Sequence, residues 1–537
     1  MLKPLSLAKW GVAVLLLSSL SSCEDILEQY FPKPNPTPPP TTPTFPPLGL
    51  DIPFYALSGG TKLDAYSTKD PATRTASVSI TGLQSGERIL AMDFRPGTGQ
   101  LYGVSSGSRI YVINQNTGRA HAIGSGAFTP ALGGNVVSFD FNPTVDRIRL
   151  VTSTGQNLRL HPETATVAAT DGSINGATGA TVAGVAYTNN VAGAAATSLY
   201  AINTQNQQLY LVNPPNNGTL VSVGSLNLPV SGDGGFDIDA KTGTALGLYS
   251  VNGSPTLFTV DLTTGAARTL ASYSTSLNYT GLAIPTRPVA YIATNVAGDF
   301  TTLSIIDPTD SNSVSTKNVT GIGGGSAIGL DFRPATGQLY TIINKGSLGS
   351  SNLYTIDLGT GTATFVAVMN IRVIFTGSFD FDPVTDMIRV VGVSGQNLRV
   401  DPTTGFTTED SPIGIPVGIN RPGVKTLAHD NNFVGATTSN LYGTDVSINL
   451  VSKLYQVTPI VPGNLKEIGN VTADVRHMDI GGTSNTAYIL VNVVNNVLQL
   501  NTLNLSTGER TFARTLNIPG LDQSNELPSG FALGLGF

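Results

Sequence analysis

The stretch Asp93-Phe94-Arg95-Pro96-Gly97-Thr98-Gly99-Gln100-Leu101-Tyr102 returns as Asp331-Phe332-Arg333-Pro334-Ala335-Thr336-Gly337-Gln338-Leu339-Tyr340, an offset of 331 − 93 = 238 with one position changed. A second pair confirms the copy. Phe139-Asp140-Phe141-Asn142-Pro143 through Gly155-Gln156-Asn157-Leu158-Arg159 recurs as Phe379-Asp380-Phe381-Asp382-Pro383 through Gly395-Gln396-Asn397-Leu398-Arg399, offset 379 − 139 = 240. The chain is a tandem duplication. Within each copy, runs that alternate apolar with small or polar residues are split by Pro, Gly, Asn and Asp, the signature of short strands and tight turns. The quoted stretch reads as first strand, turn and second strand of one repeated unit.

Outward from it, a four-strand pattern continues. First strands are expected at 89–96, 136–143, 182–189 and 235–240, and second strands at 147–152 and 245–250. Third strands fall at 109–114, 208–213 and 257–261, and weaker fourth strands at 220–224 and 267–271. No window carries a 3.6-residue stripe, so helix content should be near nil. The unit of roughly 40–50 residues is the length at which four-stranded propeller blades recur, and five units fit each half. Folded sequence opens at Pro53-Phe54-Tyr55-Ala56-Leu57, a second strand without a first, and closes at Gly530-Phe531-Ala532-Leu533-Gly534-Leu535, a first strand with nothing after it. Closure by the last strand removes unpaired edges. Thr280-Gly281-Leu282-Ala283-Ile284 either closes a first ring or runs on into Val289-Ala290-Tyr291-Ile292-Ala293. The first option gives two five-bladed propellers and the second one ten-bladed ring; the shortness of the linker favours continuity.

The string Phe139 to Pro143, Asp146-Arg147-Ile148-Arg149-Leu150-Val151 and Gly155 to Arg159 resembles the hallmark of the bacterial domain-of-unknown-function family numbered 4394, and the second half repeats it with Met387 in place of Arg147. Family members with a single copy imply that half of this chain can fold alone, which favours two tandem five-bladed propellers. The family has no assigned activity and lends no catalytic residues. The expected organisation is a signal peptide over 1–22, a tether over 23–50, a first propeller over 51–287 and a second over 288–537.

The first-strand aspartates Asp93, Asp140 and Asp237, with Asp331, Asp380 and Asp479 in the second half, are the main site candidates. The fourth-blade equivalents are Ala186 and Ala428. Alternation sets each Asp on the face opposite its apolar neighbours. Converging on a channel, such carboxylates would bind a polar ligand or a cation, and an oxygen-only donor set suits Ca²⁺. The structural alternative is that each accepts backbone N–H groups or pairs with an Arg such as Arg149 or Arg159, because a buried carboxylate needs a partner. Arg149, Arg159, Arg389 and Arg399 recur between halves, as anion ligands or as intra-blade ion pairs. His429 and His477 lie on neighbouring first strands, but parity turns them to opposite sides, so no shared site is expected. His161 becomes Asp401 in the other half, as an exposed turn residue would. No zinc spacing, Gly-x-Ser-x-Gly elbow or phosphate-cradling Gly motif is present.

A net charge of −6 and pI ≈ 5.3 argue against nucleic acid. Charged residues make up 12%, about half the usual share, with Gly, Ser, Thr and Asn in their place, the make-up of exported β proteins. Lys3 and Lys9, the apolar Gly11 to Leu17 and Leu20-Ser21-Ser22-Cys23 read as a signal peptide ending in a lipobox. Cys23, the one cysteine, is expected to carry the lipid. A Pro/Thr tract from Pro32 to Pro47 would space the folded part from the membrane. The acidic residues after Cys23 resemble surface-export signals of Bacteroidota lipoproteins. The expectation is a monomeric outer-membrane lipoprotein, facing the cell surface or the periplasm, acting as a non-catalytic scaffold for a glycan or protein ligand. Two alternatives stay open: a propeller enzyme, such as a Ca²⁺-dependent hydrolase or a lyase, and a structural component of an envelope assembly.

Overall fold

The computed structural model describes residues 45–310, 313–346, 349–374, 377–413, 423–447, 449–458, 464–493, 497–518 and 528–537. Cys23 and the Pro/Thr tract up to residue 44 lie outside the described residues. The described strands form ten antiparallel sheets of four strands each, and the helical content is two single 3₁₀ turns, Pro215–Asn217 and Thr275–Leu277. Most strands match their expected bounds closely: Arg147–Thr152 coincides, and Gln208–Val212 and Ala267–Ser272 differ by a residue at one end.

Ring closure separates the two expected architectures. Tyr279–Ala283 turns back and pairs antiparallel with Pro53–Ser58. Pro528–Leu533 pairs in the same way with Ala290–Val296. The innermost strands then contact one another in two closed cycles of five. The chain is therefore two five-bladed propellers, and the continuous ten-bladed ring is excluded. The short linker misleads because Ile284 to Val289 passes from one ring to the next rather than around one ring.

The sequence suits this packing. Inner strands crowd around a narrow axis, so small residues recur there. A Cβ on Gly235 would lie 1.9 Å from Leu282 N, on the neighbouring inner strand. Second and third strands are buried on both faces between blades. Tyr102, Leu150 and Leu158 of such strands pack with Phe139 and Phe141 of a first strand in one layer, each contributing about 1.5–3 kcal/mol by leaving water. Fourth strands such as Leu220–Ser225 are half exposed, which is why their pattern is the weakest in the sequence.

The two rings pack through the very stretches that define the duplication. Arg95, fully buried, donates from Nη1 to Gly337 O at 3.1 Å. Tyr291 Oη donates to Gly97 O at 2.9 Å and Arg147 reaches Asp357 at 2.8 Å. The C-terminal Phe537 covers the other half of the turn: a Cβ on Gly99, whose φ is +72°, would meet its ring at 2.2 Å. Gly536 N also donates to Thr98 O at 2.8 Å. All these contacts lie on the face where first strands end. The ends where first strands begin therefore open away from the partner ring.

Removing residues 528–537 should leave Ala290–Val296 without its closing strand and expose the Thr98–Gly99 turn. Calorimetry should then show loss of the cooperative transition of the second ring; an unchanged thermogram would contradict the closure.

Candidate functional site

The six first-strand aspartates converge as expected, in two triads. Asp93, Asp140 and Asp237 bring carboxylate oxygens within 4.8 Å of one another on the axis of the first ring, and Asp331, Asp380 and Asp479 do so in the second. All six are buried. Around each ring the axial positions run Asp, Asp, Ala, Asp, Ala, the alanines being Ala186 and Ala283, then Ala428 and Ala532.

One hydrogen-bonding rule explains the arrangement. Asp93 Oδ1 accepts from Phe94 N at 2.7 Å, while its Oδ2 accepts from Phe141 N, on the next inner strand, at 2.8 Å. Asp237 repeats this with Ile238 N and Ile284 N, both at 2.6 Å. Asp331 takes Phe332 N and Phe381 N at 2.7 and 2.6 Å, and Asp479 takes Ile480 N and Leu533 N, both at 2.6 Å. Asp140 and Asp380 accept from Tyr187 N at 3.1 Å and His429 N at 2.9 Å. Each carboxylate thus ties its blade to the next.

Of the two partners expected for the buried aspartates, backbone N–H groups are found and arginine is not, and the arginines make the intra-blade ion pairs expected as their alternative. Arg149 and Arg159 both bind Asp171, at 2.6 and 2.8 Å, and Arg389 and Arg399 share Asp410 at the same distances. The recurrent arginines clamp a turn acid within their own blade. Backbone donors, not guanidinium, meet the axial charge.

His429 is the group that sequence reasoning misplaced. Its Nδ1 lies 2.6 Å from Asp380 Oδ1, so it joins the second triad. The signal was its position one residue after Ala428, where the backbone N–H meets the preceding blade's aspartate. Tyr187 holds that place in the first ring and turns its hydroxyl to Arg149 Nε at 3.2 Å. His477 is not brought near His429; its Nε2 bonds Pro528 O at 2.8 Å.

Electrostatics follow from burial. Two ionised carboxylates at 4.8 Å repel by about 3 kcal/mol at an effective dielectric of about 20, comparable to what two charged hydrogen bonds return. Desolvation and this repulsion hold Asp93, Asp140, Asp331 and Asp479 well above the ordinary carboxylate range. Desolvation pushes Asp237 up to about 7, and Asp380 is raised in the same way, with His429 opposing. Shared protons relieve such a cluster, as would a bound cation. Three carboxylates fall short of the 6–8 oxygens that Ca²⁺ takes, so a bound ion would need further ligands. Along the first channel, at the level of Ala91, Ser138 and Gly235, lies a void of about 10 Å³, barely the room of one water.

A second feature sits at the opposite end of the second channel. A cavity of about 850 Å³ opens on the outward face, lined by Ser326, Ile328, Asn344, Arg372, Lys425 and His477 among others.

The fold and axis define a double five-bladed β-propeller. The model for "Domain of unknown function (DUF4394)" matches residues 62–283 and 302–522, and the chain belongs to that family. No curated protein matches. Among solved structures, similarity is found to a protein from Lactobacillus plantarum at 14% identity and TM-score 0.27, covering 65% of this chain and 98% of that one. A putative 6-phosphogluconolactonase from Bacteroides uniformis matches at 11% and 0.26, also covering 65% and 98%. The extracellular domain of a putative hybrid two-component system from B. thetaiotaomicron matches at 13% and 0.24, covering 87% and 66%.

The raised carboxyls predict a pH signature. Asp237 and Glu163, both held up to about 7, stabilise the fold fully below about pH 4 and lose that contribution as pH rises through about 7. His161 and His477, pushed down to about 4 by burial, act oppositely: their contribution is present above about pH 6.5 and lost as pH falls through about 4. Stability curves of Asp237→Asn should fall less steeply than wild type between pH 5 and 8, by about one proton. Parallel curves would refute the assignment.

Proposed function

We propose that this protein is a lipid-anchored, extracytoplasmic propeller that binds a ligand without transforming it, at the outward mouth of the second ring. The observation that carries this reading is the contrast between its two polar features. The axial carboxylates are engaged by backbone N–H groups at 2.6–3.1 Å, blade to blade. The cavity of about 850 Å³, by contrast, opens outward and falls in the size range of small-ligand sites. A hydrolase or lyase of the Ca²⁺-dependent kind would need a triad with an open ligand position within reach of substrate, whereas these carboxylates already accept backbone N–H groups of neighbouring blades in both rings.

The address rests on the N-terminus. Cys23 follows Leu20-Ser21-Ser22, and acylation there supplies the membrane attachment, since more than one chain holds far better than one. No helix among the described residues is long and apolar enough to cross a membrane. By its composition the Pro/Thr tract suits the role of a linker between the acylated cysteine and the propellers, which act as a monomer at the outer membrane.

Two measurements test this. Replacing Cys23→Ala should move the protein from the membrane to the soluble fraction; unchanged fractionation rules out the anchor. Glycans captured by the full-length protein should be recovered with unchanged mass, and shortened or unsaturated products would establish the enzyme reading instead.

A further inference from the structure

The lining of the second ring's mouth is one-sided in charge. Arg372, Lys425 and Arg476 contribute to it, and its described lining contains no carboxylate. Asp474 stands behind, with Oδ1 3.0 Å from Lys425 Nζ and Oδ2 2.7 Å from Arg476 Nη2, so one acid serves two cations. Arg372 donates to a carbonyl, Gly346 O, at 3.1 Å, and among the described residues no carboxylate pairs with it. The Nε atoms of Arg372 and Arg476, like those of Arg287 and Arg514, are buried without a protein partner. His477 is neutral near pH 7, its pKa pushed down to about 4 by burial.

Local backbone geometry places two of these cations. The strand register shifts between Val424 and Thr426 and between Val475 and His477, leaving Lys425 and Arg476 as the extra residues of β-bulges. A bulge re-aims a side chain that regular alternation would bury or expose elsewhere. The first ring has bulges on the equivalent strands, with a register shift around Ala183 and another between Ser231 and Gly234, but no cation on them. Counting back from the equivalent axial positions, Arg372, Lys425 and Arg476 correspond to Leu132, Ala183 and Gly234. The cationic mouth is thus a feature of one ring only.

The neutral lining complements it. Ser326 Oγ donates to Gly298 O and Ser529 Oγ to Ala293 O, so both hydroxyl oxygens keep acceptor capacity. Acceptors suit the hydroxyl groups of a ligand and repel a bare oxyanion. The volume of about 850 Å³ also exceeds what an inorganic anion fills.

Resting on the reading of this mouth as a binding site, we propose that it takes an acidic oligosaccharide. The three cations receive the anionic group, and the hydroxyls of Ser326 and Ser529 face the hydroxylated body. Carboxylate and sulfate share the required chemistry, since guanidinium accommodates either oxyanion.

Calorimetry on the full-length protein with four probes tests this: trigalacturonate, a sulfated disaccharide, maltotriose and sodium sulfate. At least one of the two acidic sugars should bind, and which one does tells carboxylate from sulfate. Its affinity should fall about tenfold or more as salt rises from about 50 to about 500 mM. Arg372→Ala should weaken it about tenfold while leaving the melting temperature unchanged, because Arg372 gives up a single hydrogen bond to a carbonyl. Arg476→Met should do the same, with Asp474 still held by Lys425. Maltotriose binding as tightly and without salt dependence would overturn the acidic specificity but leave the mouth as a binding site. Sodium sulfate binding as tightly as the acidic sugars would overturn the saccharide. Binding by none of the probes would overturn the inference. An acidic sugar that binds and is recovered cleaved would instead overturn the non-catalytic reading.

Discussion

Each ring depends on a backbone problem at its axis. Five inner strands converge without hydrogen-bonding to one another as a sheet, so backbone N–H groups there lack ladder partners. Aspartate solves this at three of five positions by accepting the next blade's N–H, and Asp93, Asp237, Asp331 and Asp479 also accept the following residue's N–H with the other oxygen. Bonds to a carboxylate are worth about 1.5–3 kcal/mol each, more than neutral pairs. Crowding sets the limit: three carboxylates already lie within 4.8 Å of one another, burial and mutual repulsion raise their pKa values, and the remaining two positions are alanine. The axis therefore ties neighbouring blades together at a point of electrostatic stress.

Duplication fixed one scaffold twice, and the rings then diverged at their surfaces. The face where first strands end became an interface, with Arg95 buried against Asp146, Glu163 and Gly337. Its counterpart Arg333 keeps the pair to Asp386 at 2.9 Å, but Thr403 stands where Glu163 would be. The C-terminal Phe537 fills the space over Gly99, which breaks the symmetry further. At the opposite face the second ring gained Arg372, Lys425 and Arg476 around an open cavity.

Much of the architecture was legible because propeller blades are local. Strand periodicity, turn residues and the orphan strands at Pro53 and Gly530 define the blades and the closure mode, since each pairing except the closing ones joins neighbours in sequence. The convergence of the six aspartates followed from their shared strand position. Three things were not legible. The partner of a buried carboxylate cannot be told from composition, so Arg149 and Arg159 looked available although Asp171 holds both. Parity misplaced His429, because its ring reaches across to the preceding blade. The mouth cations rest on bulges at Lys425 and Arg476, where alternation no longer reports direction.

The claim that the axial carboxylates are ties between blades, not an open ligand site, is tested most directly by urea unfolding of Asp93→Ala and Asp331→Ala in the presence of EDTA. Each substitution strands two backbone N–H groups, so stability should fall by about 2–3 kcal/mol. Unchanged or increased stability, the outcome when a charge cluster is kept for function at the expense of the fold, would contradict it.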